Sequence, residues 1–292
     1  MKLVVARGGV RLDKLIADMT GCGRRRAGQW IRAGQVRIDG RPAAASAVPA
    51  RGQTIEILES QPRPTAVPAE PVRILWQGGN VLAVAKPAGL HTQRGRSGGS
   101  VAEFLEQRFK GIAQVGKRPE EGGTVHRLDR DTSGVLLAAT TAAEYARLRA
   151  MFSAGQAAKE YLALVAGTLE EEVSIDRPLA MRGSRVGPAS RGERARKAWT
   201  RARPLDVGRG WSLVHVHMHT GVRHQVRVHL ALCGHPLLGD PLYGGPVLPS
   251  ARAGHLLHAL RIRIDEEIDV TAPAPADFVS VYAALKTGIE RV

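Results

Sequence analysis

The chain has 292 residues, 43% of them apolar and only 4% aromatic, so its cores must be built mostly from aliphatic side chains. Its 42 Lys and Arg against 27 Asp and Glu give a formal charge of +15, which suits a polyanionic partner, foremost nucleic acid. No run approaches the roughly 20 apolar residues needed to span a bilayer. Arg7 interrupts the opening MKLVVAR before any secretory apolar stretch, and Cys22 and Cys233 lack the spacing of a zinc knuckle or disulfide framework. A reducing cytoplasm is the expected compartment.

In chain order, Leu12, Leu15, Ile16 and Met19 recur at helical spacing, and GCG breaks that pattern before a second helix from about residue 24 to 33. On the second helix Ala27, Trp30 and Ile31 share one face, and Arg25, Gln29 and Arg32 share the opposite one. GQVRIDGRP then alternates Val36 and Ile38 inward before a turn at Asp39-Gly40, and QTIEIL supplies a partner strand. Residues 1–60 hold 11 basic and 5 acidic residues, a net +6. That excess on a unit too small for a catalytic cleft fits docking on an anionic surface through Arg11, Arg25 and Arg32; a merely solvated basic face is the plainer alternative. SQPRPTAVPAEP holds four prolines in twelve positions and predicts an extended linker. The expected division is therefore 1–60, a linker at 61–71, and a larger unit at 72–292.

In the larger unit, NVLAVAKPAGL predicts a buried strand that stops at Lys86-Pro87, and GVLLAATT predicts another. Thr141 and Glu144 form a capping-box pair that opens a helix to about Phe152, with Tyr145 and Leu148 turned inward. KEYLALVAG and GWSLVHVHMHT read as strands, and Gly221 introduces a short helix, VRHQVRVHLALCG, closed by Gly234. Strands and helices alternate irregularly, which predicts an α+β fold with a mixed, largely antiparallel sheet.

The chemistry centres on GTVHRLDRDTSGVLL. In an extended HRLD, Arg127 and Asp129 project to one side, and an arginine within about 4–6 Å lowers a carboxylate pKa by one to three units. An ionised, oriented Asp129 can act as nucleophile, as base, or as stabiliser of positive charge on a sugar carbon; a solvated ion pair in a turn is the competing explanation. DTSG shapes the loop, since Ser133 has glycine on one side only. On a helix Arg223 and Arg227 share a face and offer two guanidinium groups to an anion. His215, His217 and His219 alternate along one strand face, where a metal site is weighed against an RNA-facing or solvent-facing strand with no ion. Tyr161 is either a core-edge aromatic or a ring stacked on a base.

The segment at about 10–58, RLDKLIADMTGCGRRRAGQWIRAGQVRIDGRPA with the closing GQTIEIL, resembles the small RNA-binding domain named after ribosomal small-subunit protein four. The ordered motifs KPAGLHTQ, HRLDRDTSGVLL, KEYLALVAG, HTGVRHQVRVHLALCGHPLLGDPLYG and LLHALRIRI resemble those of pseudouridine synthases of the RluA family. The resemblance implies that Asp129 is the catalytic aspartate, Arg227 its arginine partner, and Tyr161 the aromatic residue against the target uracil. Arg127 matches a position that in some relatives of the family enters the RNA stack in place of the flipped base. Lys86, Arg223 and His224 complete the expected RNA contacts. The implied reaction cleaves the N-glycosidic bond of an RNA uridine, rotates the base and joins its carbon 5 to the ribose, with no cofactor and no metal. Ribosomal RNA, transfer RNA or both are the implied partners; no membrane is expected, and nothing in the sequence demands more than a monomer. The family usually has TGRxHQIR where this chain has TGVRHQVR, so Arg223 is expected to compensate from the next position. A catalytically inactive ribosome-assembly factor would have no need of an acid among basic residues at position 129. A nucleoside glycosidase would want a second acid nearby.

Overall fold

A computed structural model describes residues 2–5, 8–20, 23–32, 36–44, 46–57, 71–95, 99–183, 185–248, 254–289 and 292. The Pro-rich stretch at 60–70, Cys22 and the side chains of Arg25, Gln29 and Arg32 lie outside this description, and so does the arginine face expected on the second helix. The chain divides into two compact units, Met1–Thr65 and Ala66–Val292.

The smaller unit runs β1 (Lys2–Val4), α1 (Leu12–Thr20), α2 (Arg24–Arg32), β2 (Val36–Ile38), β3 (Arg41–Pro42) and β4 (Thr54–Ile57). Its sheet has the order β1-β4-β2-β3. Helical spacing buries Leu12, Ile16 and Ala17 of α1 with Ala27 and Ile31 of α2, over Val36, Ile55 and Ile57 of the strands. The β2–β3 turn places Asp39 at φ 48 and Gly40 at φ 79, the left-handed pair that a two-residue type I′ hairpin requires. Arg11 is exposed and donates to both carboxylate oxygens of Asp13 at 3.2 Å, and Arg24 reaches the same carboxylate at 3.3 Å.

The larger unit runs β5 (Arg73–Gly78), β6 (Val81–Lys86), α3 (Val101–Arg108), β7 (Ser133–Ala139), α4 (Ala142–Ser153), β8 (Ala158–Ala166) and β9 (Val173–Asp176). It continues through β10 (Leu179–Arg182), β11 (Arg185–Pro188), β12 (Trp199–Gly208), β13 (Trp211–Met218), α5 (Gln225–Leu232), β14 (Leu257–Arg263), β15 (Asp269–Thr271) and α6 (Ala276–Lys286). The main sheet has the order β5-β6-β7-β14-β8-β13-β12-β9, with β15 added to β14, while β10 and β11 form a separate hairpin. Among the described residues its pairings are antiparallel except β7 against β14. The fold is thus α+β with a mixed, largely antiparallel sheet.

Strand β7 is buried along its whole length, as its apolar run requires. Val135, Leu136 and Leu137 are fully buried, and each such side chain contributes about 1.5–3 kcal/mol, so β7 anchors the loop that precedes it. Its first residues pair with β14, His258 opposite Ser133 and Ala259 opposite Gly134. At Gly134, with φ 117, an added Cβ would lie 2.1 Å from the carbonyl oxygen of Ala259, so only glycine permits this approach. At α4 the Thr141 hydroxyl accepts from the Glu144 amide at 3.4 Å, the expected N-cap.

The helix after Gly221 differs from expectation. It begins at Gln225, and Arg223 lies in the turn before it. The Gln225 side chain accepts from the Val222 amide and from the Thr220 hydroxyl, both at 3.0 Å, and His224 adopts φ 55. These bonds hold residues 220–224 in a turn that a helix would break, so Arg223 and Arg227 do not share a helical face.

Candidate active site

The loop ahead of β7 is fastened on both sides before it presents Asp129. Thr92 Oγ1 donates to the Leu128 carbonyl at 2.9 Å and accepts from the Leu128 amide at 3.1 Å. Lys86 Nζ donates to the carbonyls of Pro87, Leu90 and Arg130 at 2.9, 2.7 and 2.8 Å. That side chain is 1% exposed. Lys86, expected at the RNA, is turned inward here, where burial and three carbonyl acceptors make it a brace of the loop. Arg130 braces the same contact, its Nε donating to the Gly89 carbonyl at 3.0 Å. From below, Thr132 Oγ1 lies 2.7 Å from His255 Nε2, and Ser133 Oγ lies 2.9 Å from His258 Nδ1.

Asp129 pairs with Arg227 of α5, whose Nη1 donates to Asp129 Oδ2 at 2.9 Å. The nearby Arg127 is exposed and makes no hydrogen bond or ion pair among the described residues; residues 127–129 are not in a strand, so the alternation of an extended HRLD does not apply there. Burial would raise the Asp129 carboxyl, but His224 and Arg227 outweigh it and hold the group below its ordinary range. His224 Nε2 stands 3.6 Å from the same oxygen. Burial pushes that imidazole down to about 4, so at neutral pH Arg227 is the cation that keeps Asp129 ionised.

Arg227 is itself buried and is gripped from its other edge. Its Nε and Nη2 donate to Asp240 Oδ2 and Oδ1 at 2.7 and 2.8 Å, a bidentate pair. Tyr243 lies across the guanidinium at 5.1 Å, its hydroxyl 2.8 Å from His224 Nδ1. Neither Asp240 nor Tyr243 emerges from the sequence as a site residue, although both stand in the quoted GDPLYG motif.

A cavity of about 720 Å³ opens over this pair, with Arg127, Asp129, Tyr161, Arg223, His224 and Arg227 in its wall. A volume of this size can admit a nucleotide. Tyr161 extends from β8, which is registered against both β13 and β14; it is buried, and its hydroxyl makes no hydrogen bond to the described residues. Burial, then the charge of Asp129, raise the phenol pKa, so the ring is neutral at physiological pH. Lys159 also lines the cavity, its Nζ donating to the carbonyls of His219 and Thr220 at 3.1 and 2.8 Å. Burial lowers its pKa to about 8. Of the three alternating histidines, His215 Nε2 lies 2.9 Å from Glu160 Oε2, and His217 and His219 meet edge to face at 4.8 Å. Among the described residues no group of three or more His, Cys, Asp or Glu side chains is arranged to hold a metal.

The larger unit is thus an α+β domain with a cavity lined by a carboxylate–arginine pair. Residues 80–232 match the family described as RNA pseudouridylate synthase, and residues 10–53 match the S4 domain. The chain is 32% identical, over 95% of its length and 89% of the relative's, to ribosomal large subunit pseudouridine synthase D of Xanthomonas campestris pv. campestris. It is 30% identical, over 96% and 93%, to the protein of that name from Pseudomonas aeruginosa. The human RNA pseudouridylate synthase domain containing 4 shares the fold with a TM-score of 0.60 at 22% identity, over 73% of this chain and 92% of that one. The human RNA pseudouridylate synthase domain containing 1 gives 0.57 at 26%, over 70% and 84%. The chain belongs to the RNA pseudouridylate synthase family and is an RNA pseudouridine synthase.

Proposed function

We propose that the chain isomerises uridines of large-subunit ribosomal RNA to pseudouridine, with Asp129 as the reacting carboxylate. A uridine inside RNA must leave its stack, at a cost of a few kcal/mol, before a side chain reaches the glycosidic carbon. Arg127, exposed on the cavity wall, is suited to fill the vacated place, and Tyr161 to lie against the flipped uracil. The N1–C1′ bond then breaks, the base turns, and C5 bonds to C1′; C5 gives up its proton and N1 takes one, so no oxidant or co-reactant is needed. The observation that carries this proposal is Asp129 held by the buried Arg227 at 2.9 Å in the wall of the cavity. A glycosidase is less well supported, because Asp240 is only 1% exposed and is bound at both oxygens, which leaves no second acid of the kind hydrolysis uses in the cavity wall among the described residues.

The choice of RNA rests on the relatives, which are named for the large ribosomal subunit. The unit at 1–60 is proposed to dock on that RNA, the enzyme working as a monomer in the cytoplasm. Comparing pseudouridine maps of total RNA from cells with and without the gene tests the assignment. The expected result is the loss of discrete sites in large-subunit RNA; an unchanged map, or losses confined to transfer RNA, contradicts it.

A further inference from the structure

Arg227 serves two carboxylates, and they are not equivalent. Asp240 takes the guanidinium edge through two bonds at 2.7 and 2.8 Å, whereas Asp129 receives a single bond at 2.9 Å. Asp240 is 1% exposed, while the Asp129 side chain keeps 19% of its surface. The fork geometry of arginine allows one bidentate partner per edge, so the grip of Asp240 decides which nitrogen is left for Asp129. Arg227 and the His224 contact both address Oδ2 of Asp129, and Oδ1 accepts no hydrogen bond from the described residues.

The turn that carries Asp240 is built to hold it still. Its amide donates to the Leu237 carbonyl at 3.2 Å, and its carbonyl accepts from the amides of Tyr243 and Gly245 at 3.2 and 2.8 Å. An added Cβ at Gly245 would lie 1.8 Å from the Leu237 oxygen, so the chain doubles back with no room for a side chain. Two independent consequences follow. The plane of Arg227 is fixed, which orients Oδ2 of Asp129 and leaves Oδ1 for the substrate. The arginine charge is also largely balanced before it meets Asp129, so that carboxylate is held ionised without being fully neutralised.

We propose that Asp240 is a positioning residue for uridine isomerisation, acting through Arg227 on the orientation and reactivity of Asp129. The inference rests on the function proposed above. An ordinary buried ion pair that merely ties α5 to the turn would lower stability when broken but would leave the rate constant of the folded variant unchanged.

The test is single-turnover kinetics of wild type and Asp240→Asn on an unmodified transcript of large-subunit ribosomal RNA across a pH series, with RNA affinity and thermal midpoint measured alongside. Asp240→Asn is expected to lower the rate constant about 10- to 100-fold, comparable to the loss of groups that orient metal ligands. RNA affinity should stay within about threefold, and the acid limb should move to lower pH, because removing one negative neighbour leaves Arg227 to Asp129 alone. An unchanged rate constant in the folded variant overturns the role of Asp240. So does a loss confined to RNA affinity, or a loss that follows the unfolded fraction with the acid limb in place. If the Asn variant does not fold, Asp240→Ser is read against the same criteria. Absence of conversion by the wild type overturns the proposed function itself and the inference with it.

Discussion

Asp129 takes its charge partner from 98 residues further along the chain. Arg127 and Arg130 stand closer in sequence, yet one is exposed without an ion pair among the described residues and the other is bound to the Gly89 carbonyl. Side-chain alternation predicts neighbours only where the backbone is a regular strand, and residues 127–129 are not in one. The histidines of the site carry a stability consequence. Burial pushes His126 from its ordinary 6.5 to about 3 and His224 to about 4, and His126 Nε2 accepts from the Leu137 amide at 3.0 Å, a bond that a proton would break. Both folded values lie below the unfolded ones, so below pH 6.5 the unfolded chain binds more protons and stability falls. The expected slope is on the order of 1.4 kcal/mol per pH unit per histidine, down to about pH 4 for His224 and about pH 3 for His126. Urea unfolding at pH 7 and pH 5 should show this loss, and His126→Gln, which keeps an acceptor for Leu137, should reduce it; equal losses in variant and wild type contradict the account.

At the scale of elements, local signals were legible where the cause was local. The Asp39-Gly40 turn, the Thr141 cap and the buried runs of β6 and β7 each depend on a few adjacent residues. The start of α5 was not, because Gln225 folds back on Val222 and Thr220 and replaces the first helical turn expected there. The parallel junction of β7 with β14 was also hidden, since it joins Ser133 and Gly134 to residues 125 positions away. Gly134 looked like a turn residue; its necessity comes from the Ala259 carbonyl that presses on it. Asp240 escaped notice for a related reason. A buried arginine invites more than one acceptor, but sequence alone does not say which distant carboxylate supplies the second.

For the whole molecule, the α+β class was legible because strand and helix patterns alternated irregularly, and the family because five separated motifs occurred in order. The net +6 of residues 1–60 leads to a prediction about salt. Deleting those residues should weaken RNA binding and flatten its dependence on salt concentration, since fewer counterions are released; filter binding between about 50 and 200 mM salt that gives the same slope for both proteins contradicts the docking role. The central claim is that Asp129 performs the isomerisation and does not merely hold RNA. Its most direct test is Asp129→Asn assayed for pseudouridine formation and RNA affinity on the same large-subunit transcript. The account predicts no detectable conversion with affinity within about threefold of wild type; conversion at the wild-type rate would contradict it.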